Sequence, residues 1–310
     1  MSSHESTADL STRHSPTHHS RLFKMSIQTL TIVGVGLIGG SIGLAAKKRG
    51  VAKRVLGVGR RQASLQQALA RGAIDEVFVD FPEAVKRADV VVFCTPVDMI
   101  AEQILAAAPQ CKAGALLTDA GSTKAALVRS LDGRLPADVS FVGSHPLAGS
   151  EKRGPEHADA NLFDGKLTVI TPTADTNADA LDRTSAFWKA LGSEVRIMDP
   201  EEHDRVLALT SHVPHLVAAA LVSLLTSELL PLTATGFRDT TRVAAGDPAL
   251  WTGILLQNRQ PVLAGLQLLG ESLDRFRGAL TRSDRVALNR LLAESKLLRD
   301  ALEKNSSRRA

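Results

Sequence analysis

Cysteine is scarce in this chain. Cys94 and Cys111 are the only two among 310 residues, and no C-x-x-C spacing occurs. That argues against a disulfide framework or a cysteine-ligated zinc, and it fits a reducing, cytoplasmic setting. Aromatic residues amount to 4% and no long Lys/Arg stripe is present, so stacking platforms for nucleic acid are lacking. The formal net charge is only +4, which suits a small anionic substrate better than a polyanion. No apolar run reads as a membrane span, so no membrane partner is expected. The opening stretch MSSHESTADLSTRHSPTHHSRLFK has no apolar h-region and does not read as a secretory signal. Residues 1–25 read as a disordered tail, and Met25 is an alternative start.

What is present is enough apolar material, 44% of residues, to build a sizeable core in two domains. Thr31 to Gly43, TIVGVGLIGGSIG, is the most informative stretch. An apolar β-branched run enters Gly34, Gly36 and Gly39 in G-x-G-x-x-G spacing, with Leu37 and Ile38 between, and a helix-like segment, Ser41–Arg49, follows. The first glycine allows a tight turn, the second lets backbone approach a pyrophosphate, and the third lets helix and strand pack closely. The phosphates are then expected on the free N–H groups of the new helix.

Strand-like and helix-like segments alternate from Leu30 onward, the pattern of a parallel α/β sheet. Strands are expected at Thr31–Val35, Arg54–Val58, Val90–Thr95, Leu116–Asp119, Phe141–Ser144, Leu167–Thr171 and Glu194–Met198, with helices at Ser64–Arg71 and Ala178–Leu191. The last two strands are expected to close the sheet in an antiparallel or mixed way. Beyond Asp199 the apolar spacing is helical throughout, and the final helix is expected to take Ser283 as its N-cap. The expected class is α/β, a Rossmann-type dinucleotide-binding domain over 26–199 followed by an all-helical substrate and dimerisation domain over 200–304. The surplus of apolar helix surface implies a homodimer, with a larger monomeric core as the alternative.

An acid is missing where nucleotide choice is made. Folds that prefer NAD carry Asp or Glu about 20 residues past the glycines, on the ribose 2′-hydroxyl. Here the second strand ends Gly59-Arg60-Arg61. Two guanidinium groups suit a 2′-phosphate, so the expected cofactor is NADP, with NAD open and a solvated turn the alternative for the arginines. Ligands of open α/β sheets bind beyond the strands' carboxyl ends. Those ends carry Thr95-Pro96, Asp119–Lys124 (DAGSTK) and Gly143–Glu151 (GSHPLAGSE).

The run GSHPLAGSEKRG from Gly143 to Gly154 resembles the signature of prephenate dehydrogenases. DAGSTK, TSHVPH (Thr210–His215) and GFRDTTRVA (Gly236–Ala244), followed by Asp247-Pro248 and Trp251, match the same family in order and spacing. The resemblance spans Thr31 to about Asn258. It implies oxidative decarboxylation of prephenate in tyrosine biosynthesis. It implies His145 as the base on the substrate's 4-hydroxyl, with Ser122 bonding that hydroxyl, aligning His145 and touching the cofactor. Arg242 is implied as the fork on a substrate carboxylate, and His215 as a substrate contact with Ser211 beside it. Arg238 and Asp239 are implied to flank Arg242 and to gate the pocket by pairing with Glu151 or each other; a surface ion pair is the alternative. Trp251 is implied to reach the site from a partner subunit, or else to be a core residue.

His212 and His215 share a helix face, but a third metal ligand is missing, so no metal is expected. Pro214 is expected to kink or interrupt that helix. Arogenate, with an amine and a hydrogen where prephenate carries a keto group, is the rival substrate. A β-hydroxyacid dehydrogenase is disfavoured because Glu201–Gly253 holds no lysine. A non-catalytic NADP-sensing regulator is the remaining alternative.

Overall fold

The computed structural model describes residues 27–150 and 152–307. The expected tail over 1–25 and the candidate Glu151 lie outside the described residues. Eight strands form one sheet: β1 Ile27–Val33, β2 Ala52–Val58, β3 Glu76–Phe78, β4 Val90–Phe93, β5 Leu116–Asp119, β6 Ser140–Pro146, β7 Leu167–Thr171 and β8 Glu194–Ile197. Their spatial order is β3-β2-β1-β4-β5-β6-β7-β8. All neighbours are parallel except β6 and β7, which run antiparallel. The order reverses between β1 and β4, and that switch opens a crevice at the strands' carboxyl ends.

The sheet's helices are α1 Leu37–Lys48, α2 Gln62–Ala70, α3 Phe81–Val85, α4 Val97–Ala107, α5 Ala125–Leu131 and α6 Ala178–Ala190. They cover both faces. In β4, Val90 and Val92 join one core with Leu30, Ile32 and Trp188, while Val91 and Phe93 join the other with Ile100 and Leu117. A strand buried on both faces must be apolar at every position, which is why VVVF does not alternate.

Several boundaries differ from the sequence reading, each for a tertiary reason. Strand β1 starts four residues early because the Asp89 carboxylate accepts the N–H groups of Gln28 and Thr29, both at 2.8 Å. Helix α1 starts at Leu37, inside the glycine run, not at Ser41. A Cβ on Gly39 would lie 2.2 Å from the Gly34 carbonyl oxygen, and one on Gly43 would lie 2.0 Å from that of Ala73. These glycines sit in the helix because close packing demands them, against their helix propensity. Strand β6 extends to Pro146 because His145 pairs with Val169 and Pro146 with Thr168 on β7.

The helical region contains α7 Pro200–Leu207, α8 Val213–Ser223, α9 Thr235–Thr241, α10 Pro248–Gln257, α11 Arg259–Thr281 and α12 Arg285–Ser307. Asp199 caps α7 by accepting the Glu202 N–H at 3.0 Å, and Asp247 caps α10 by accepting that of Leu250 at 2.8 Å. Pro214 has no N–H to bond back. The helix responds by widening into a π turn over Ala208–His212 rather than breaking. The N-cap of α12 is Asp284, which accepts the Ala287 N–H at 2.9 Å, and not Ser283. Ser283 instead takes a left-handed φ of 51° as α11 ends. The N–H groups of Ser283 and Asp284 close back onto Leu280 and Ala279.

By length and composition Pro200–Ser223 could cross a membrane, contrary to the expectation that no run is long enough. Its polar residues have another use. Asp204 and His212 are buried and hydrogen-bonded within the protein.

Candidate active site

The crevice at the strand switch holds a cavity of about 920 Å³. Gly34, Gly36, Arg60, Arg61, Thr95 and Pro96 all line it, together with Ser64, Met99 and Gln103. Gly34 has φ +95°, and a Cβ there would meet the Cys94 carbonyl at 2.9 Å, so only glycine fits the turn. A Cβ on Gly36 would project into open space, the gap through which a pyrophosphate can approach backbone. Helix α1 begins on Gly36 with no side-chain cap and no acid in its first turn, leaving its N–H groups for an anion. Thr95 is held by a 2.5 Å bond from its hydroxyl to Gln103 Oε1. Arg60 and Arg61 are exposed at the rim, ahead of α2. Leu37, Ile38, Gly39 and Ser122 are not among the cavity walls. Gly39 packs beneath Gly34, and Ile38 faces Gly149.

Beside this cleft, the carboxyl end of β6 carries His145. Ring nitrogen Nδ1 of His145 lies 2.9 Å from Nε2 of His203, and Nδ1 of His203 lies 2.8 Å from Oδ1 of Asp204. Asp204 also accepts the Lys124 N–H at 2.8 Å and the Ala125 N–H at 2.9 Å, so it caps α5 from across the domain junction. Burial raises the Asp204 pKa, but the bonds from His203, Lys124 and Ala125 outweigh it and hold the carboxyl below its usual value. Asn258 donates to the Asp204 carbonyl at 2.7 Å and lies 3.0 Å from His212 Nδ1.

Beneath His145 lies a second buried network. Lys124 and Asp119 form an ion pair that is fully inaccessible to solvent. Asp119 accepts the N–H groups of Gly121 and Ser144, at 2.8 and 3.0 Å, and the Trp188 indole donates to Ser144 Oγ at 2.8 Å. Desolvation depresses the Lys124 pKa against the pull of Asp119. Desolvation also drives the His145 pKa well below the ordinary imidazole value, reinforced by His203, Lys124 and His212. A neutral ring is what a base requires.

The helical region contributes a cluster of its own, and none of its residues lines the 920 Å³ cavity. His215 stacks on Trp251 with ring centroids 3.5 Å apart and planes 13° apart, and His212 meets the same indole edge-on at 6.2 Å. The Trp251 side chain thus packs on histidines of its own chain. His215 Nδ1 is buried without a partner among the described residues, and burial lowers its pKa. Ser211 stands in the π turn, half-buried. Arg242 begins the single turn after α9, exposed.

Two expected pairings are not seen. Arg238 and Asp239 are both exposed and make no ion pair with each other, since neighbours on a helix point about 100° apart. The ring of His145 is aligned by His203, not by Ser122, whose hydroxyl has no partner among the described residues. His203, Asp204 and Asn258 were not legible as site residues in the sequence, and Lys124 was visible only as the end of the DAGSTK motif. His203 and Asp204 sit on a helix 58 and more residues beyond His145, with no spacing to tie them to it. Among the described residues, no group of three or more His, Cys, Asp or Glu could hold a metal ion.

A Rossmann sheet with a glycine cradle, a basic rim and a buried imidazole beside the cleft defines a nicotinamide-dependent oxidoreductase. Residues 42–197 match the family model described as prephenate dehydrogenase, nucleotide-binding domain. Residues 199–294 match that of prephenate dehydrogenase, dimerization domain. The chain belongs to the prephenate dehydrogenase family. It is 37% identical to a prephenate dehydrogenase of Bacillus subtilis, over 88% of this chain and 76% of that one. It is 34% identical to a cyclohexadienyl dehydrogenase of Zymomonas mobilis, over 88% and 96%. A solved prephenate dehydrogenase from A. aeolicus, in complex with hydroxyphenyl propionate and NAD+, superposes with TM-score 0.83 at 33% identity, covering 89% of this chain and 98% of that one.

Proposed function

We propose that this protein oxidatively decarboxylates prephenate to 4-hydroxyphenylpyruvate in the cytoplasm, as a homodimer, with NADP preferred over NAD and no metal. The observation that carries the reading is His145, buried, neutral and tethered, at a strand end beside the dinucleotide cleft. Gly34, Gly36, Thr95 and Pro96 would hold the cofactor, with Arg60, Arg61 and the half-buried Ser64 around a 2′-phosphate. When bound, that cofactor supplies a hydride acceptor. His145 takes the 4-hydroxyl proton, and Ser122 would bond the same oxygen. The substrate's carboxylates need cations, and Arg242 supplies a fork for one of them. Arg238 adds positive charge nearby, and the His215 ring would meet the substrate from its place on Trp251. Asp239 and Trp251 complete the wall, the latter by holding His215 flat.

Homodimerisation is supported by exposed leucines along the helical region, among them Leu232, Leu256, Leu263, Leu273, Leu297 and Leu298. Arogenate, which carries an ammonium, is the second reading, favoured by the cyclohexadienyl dehydrogenase relative. The test is product identity. Purified protein supplied with prephenate and NADP is expected to form 4-hydroxyphenylpyruvate and reduced nicotinamide in equal amounts, and His145→Asn to slow both by roughly 10²–10⁴-fold. Reduced nicotinamide without 4-hydroxyphenylpyruvate would refute the reading.

A further inference from the structure

The proposed reaction has a proton balance that the geometry around His145 explains. The substrate's 4-hydroxyl loses its proton as C4 loses hydride and the C4–O bond becomes a carbonyl. The bond from C1 to its carboxylate then breaks, CO2 leaves, and the freed electron pair enters the ring. The same oxygen is now a phenolate and must regain a proton. No net proton is released, so the first proton is best kept close to that oxygen between the two steps.

The hydrogen bonds dictate where it can wait. A carboxylate can only accept, so His203 Nδ1 must carry the hydrogen it shares with Asp204 Oδ1 at 2.8 Å. Neutral His203 then has its lone pair on Nε2, which can only accept from His145 Nδ1 at 2.9 Å. His145 is thereby fixed as the Nδ1–H tautomer, with the Nε2 lone pair free for substrate. With His203 neutral, the donors along the chain all point in one sense.

We propose that His203 and Asp204 are positioning residues that make His145 a returnable proton store. The hydroxyl proton enters at His145 Nε2. The proton on His145 Nδ1 can shift to His203 Nε2, placing the positive charge against the Asp204 carboxylate. Reversal of both shifts gives the proton back to the phenolate oxygen. The store is sealed, since His203 is fully buried and Asp204 is 2% exposed. Asp204 is itself immobilised by the N–H groups of Lys124 and Ala125, so its charge does not have to reorganise during the reaction. The other charged or titratable groups acting on His145 are Lys124 and His212. Lys124 is already committed to Asp119, and His212 Nδ1 to Asn258.

The inference rests on the prephenate reading but has a readout that does not. Nitrogen-15 NMR of the wild-type protein labelled at histidine is expected to show His145 as the Nδ1–H tautomer at neutral pH. His203→Gln, whose amide oxygen can accept from His145 Nδ1 but cannot hold a proton, is expected to keep that tautomer. It should lower kcat by roughly 10²-fold, the scale of losing an orienting partner, with the prephenate KM changed less than about twofold. An Nε2–H tautomer in the wild type, or full kcat in His203→Gln, would overturn the proposal. Should the variant not fold, the wild-type tautomer decides alone. A wild type that shows the Nδ1–H tautomer yet does not oxidise prephenate would refute the substrate, not the tether.

Discussion

At the scale of single residues, the site separates groups that touch substrate from groups that prepare them. His145→Asn is expected to lower kcat by roughly 10²–10⁴-fold, the usual contribution of a positioned base, with little change in KM. Burial and the neighbouring His203, Lys124 and His212 depress the His145 pKa. The acid limb of the kcat/KM profile should therefore fall below the ordinary histidine value of about 6.5, and a limb at or above it would contradict the burial argument. Arg242→Gln should act on the other parameter. A charged hydrogen bond contributes roughly 1.5–3 kcal/mol, so the prephenate KM should rise about 10- to 100-fold. Replacing Arg60 and Arg61 together by Ala is expected to weaken NADP binding far more than NAD binding in a titration. Equal losses would remove the 2′-phosphate contact from the account.

At the scale of elements, the glycine helix shows how much of the fold was legible. The spacing of Gly34, Gly36 and Gly39 announced the turn, and the VVVF run of β4 announced a strand buried on both faces. The start of α1 was not legible, because Gly39 and Gly43 obey contacts with Gly34 and Ala73 that only the folded chain brings together. Gly43→Ala places a methyl 2.0 Å from the Ala73 carbonyl. It should destabilise the fold by about 1–3 kcal/mol, read from the urea midpoint. Pro214 signalled a disturbed helix, yet the form of the disturbance, a π turn carrying Ser211 and His212, depended on packing. The candidate site divides the same way. Motif residues His145, Arg242 and His215 were visible through resemblance, whereas His203 and Asp204 needed the two domains docked.

At the scale of the whole molecule, the junction between sheet and helices stores a dependence on pH. Burial lowers the His212 pKa to about 4. Below about 6.5 the unfolded chain binds a proton at this ring that the folded chain refuses until near pH 4. Stability from this group is therefore complete above pH 6.5 and is lost as pH falls toward 4. The loss amounts to about 3 kcal/mol once pH has fallen to about 4, of which about 2 kcal/mol should appear between urea midpoints at pH 7 and pH 5. The exposed apolar faces of the helical region are expected to give a dimer in sedimentation, and Leu263→Glu on exposed α11 should weaken it. The measurement that tests the central claim most directly mixes purified protein with prephenate or arogenate, each with NAD or NADP, and follows reduced nicotinamide. The account predicts turnover with prephenate, faster with NADP than with NAD. Binding of NADP without turnover of either substrate would contradict it.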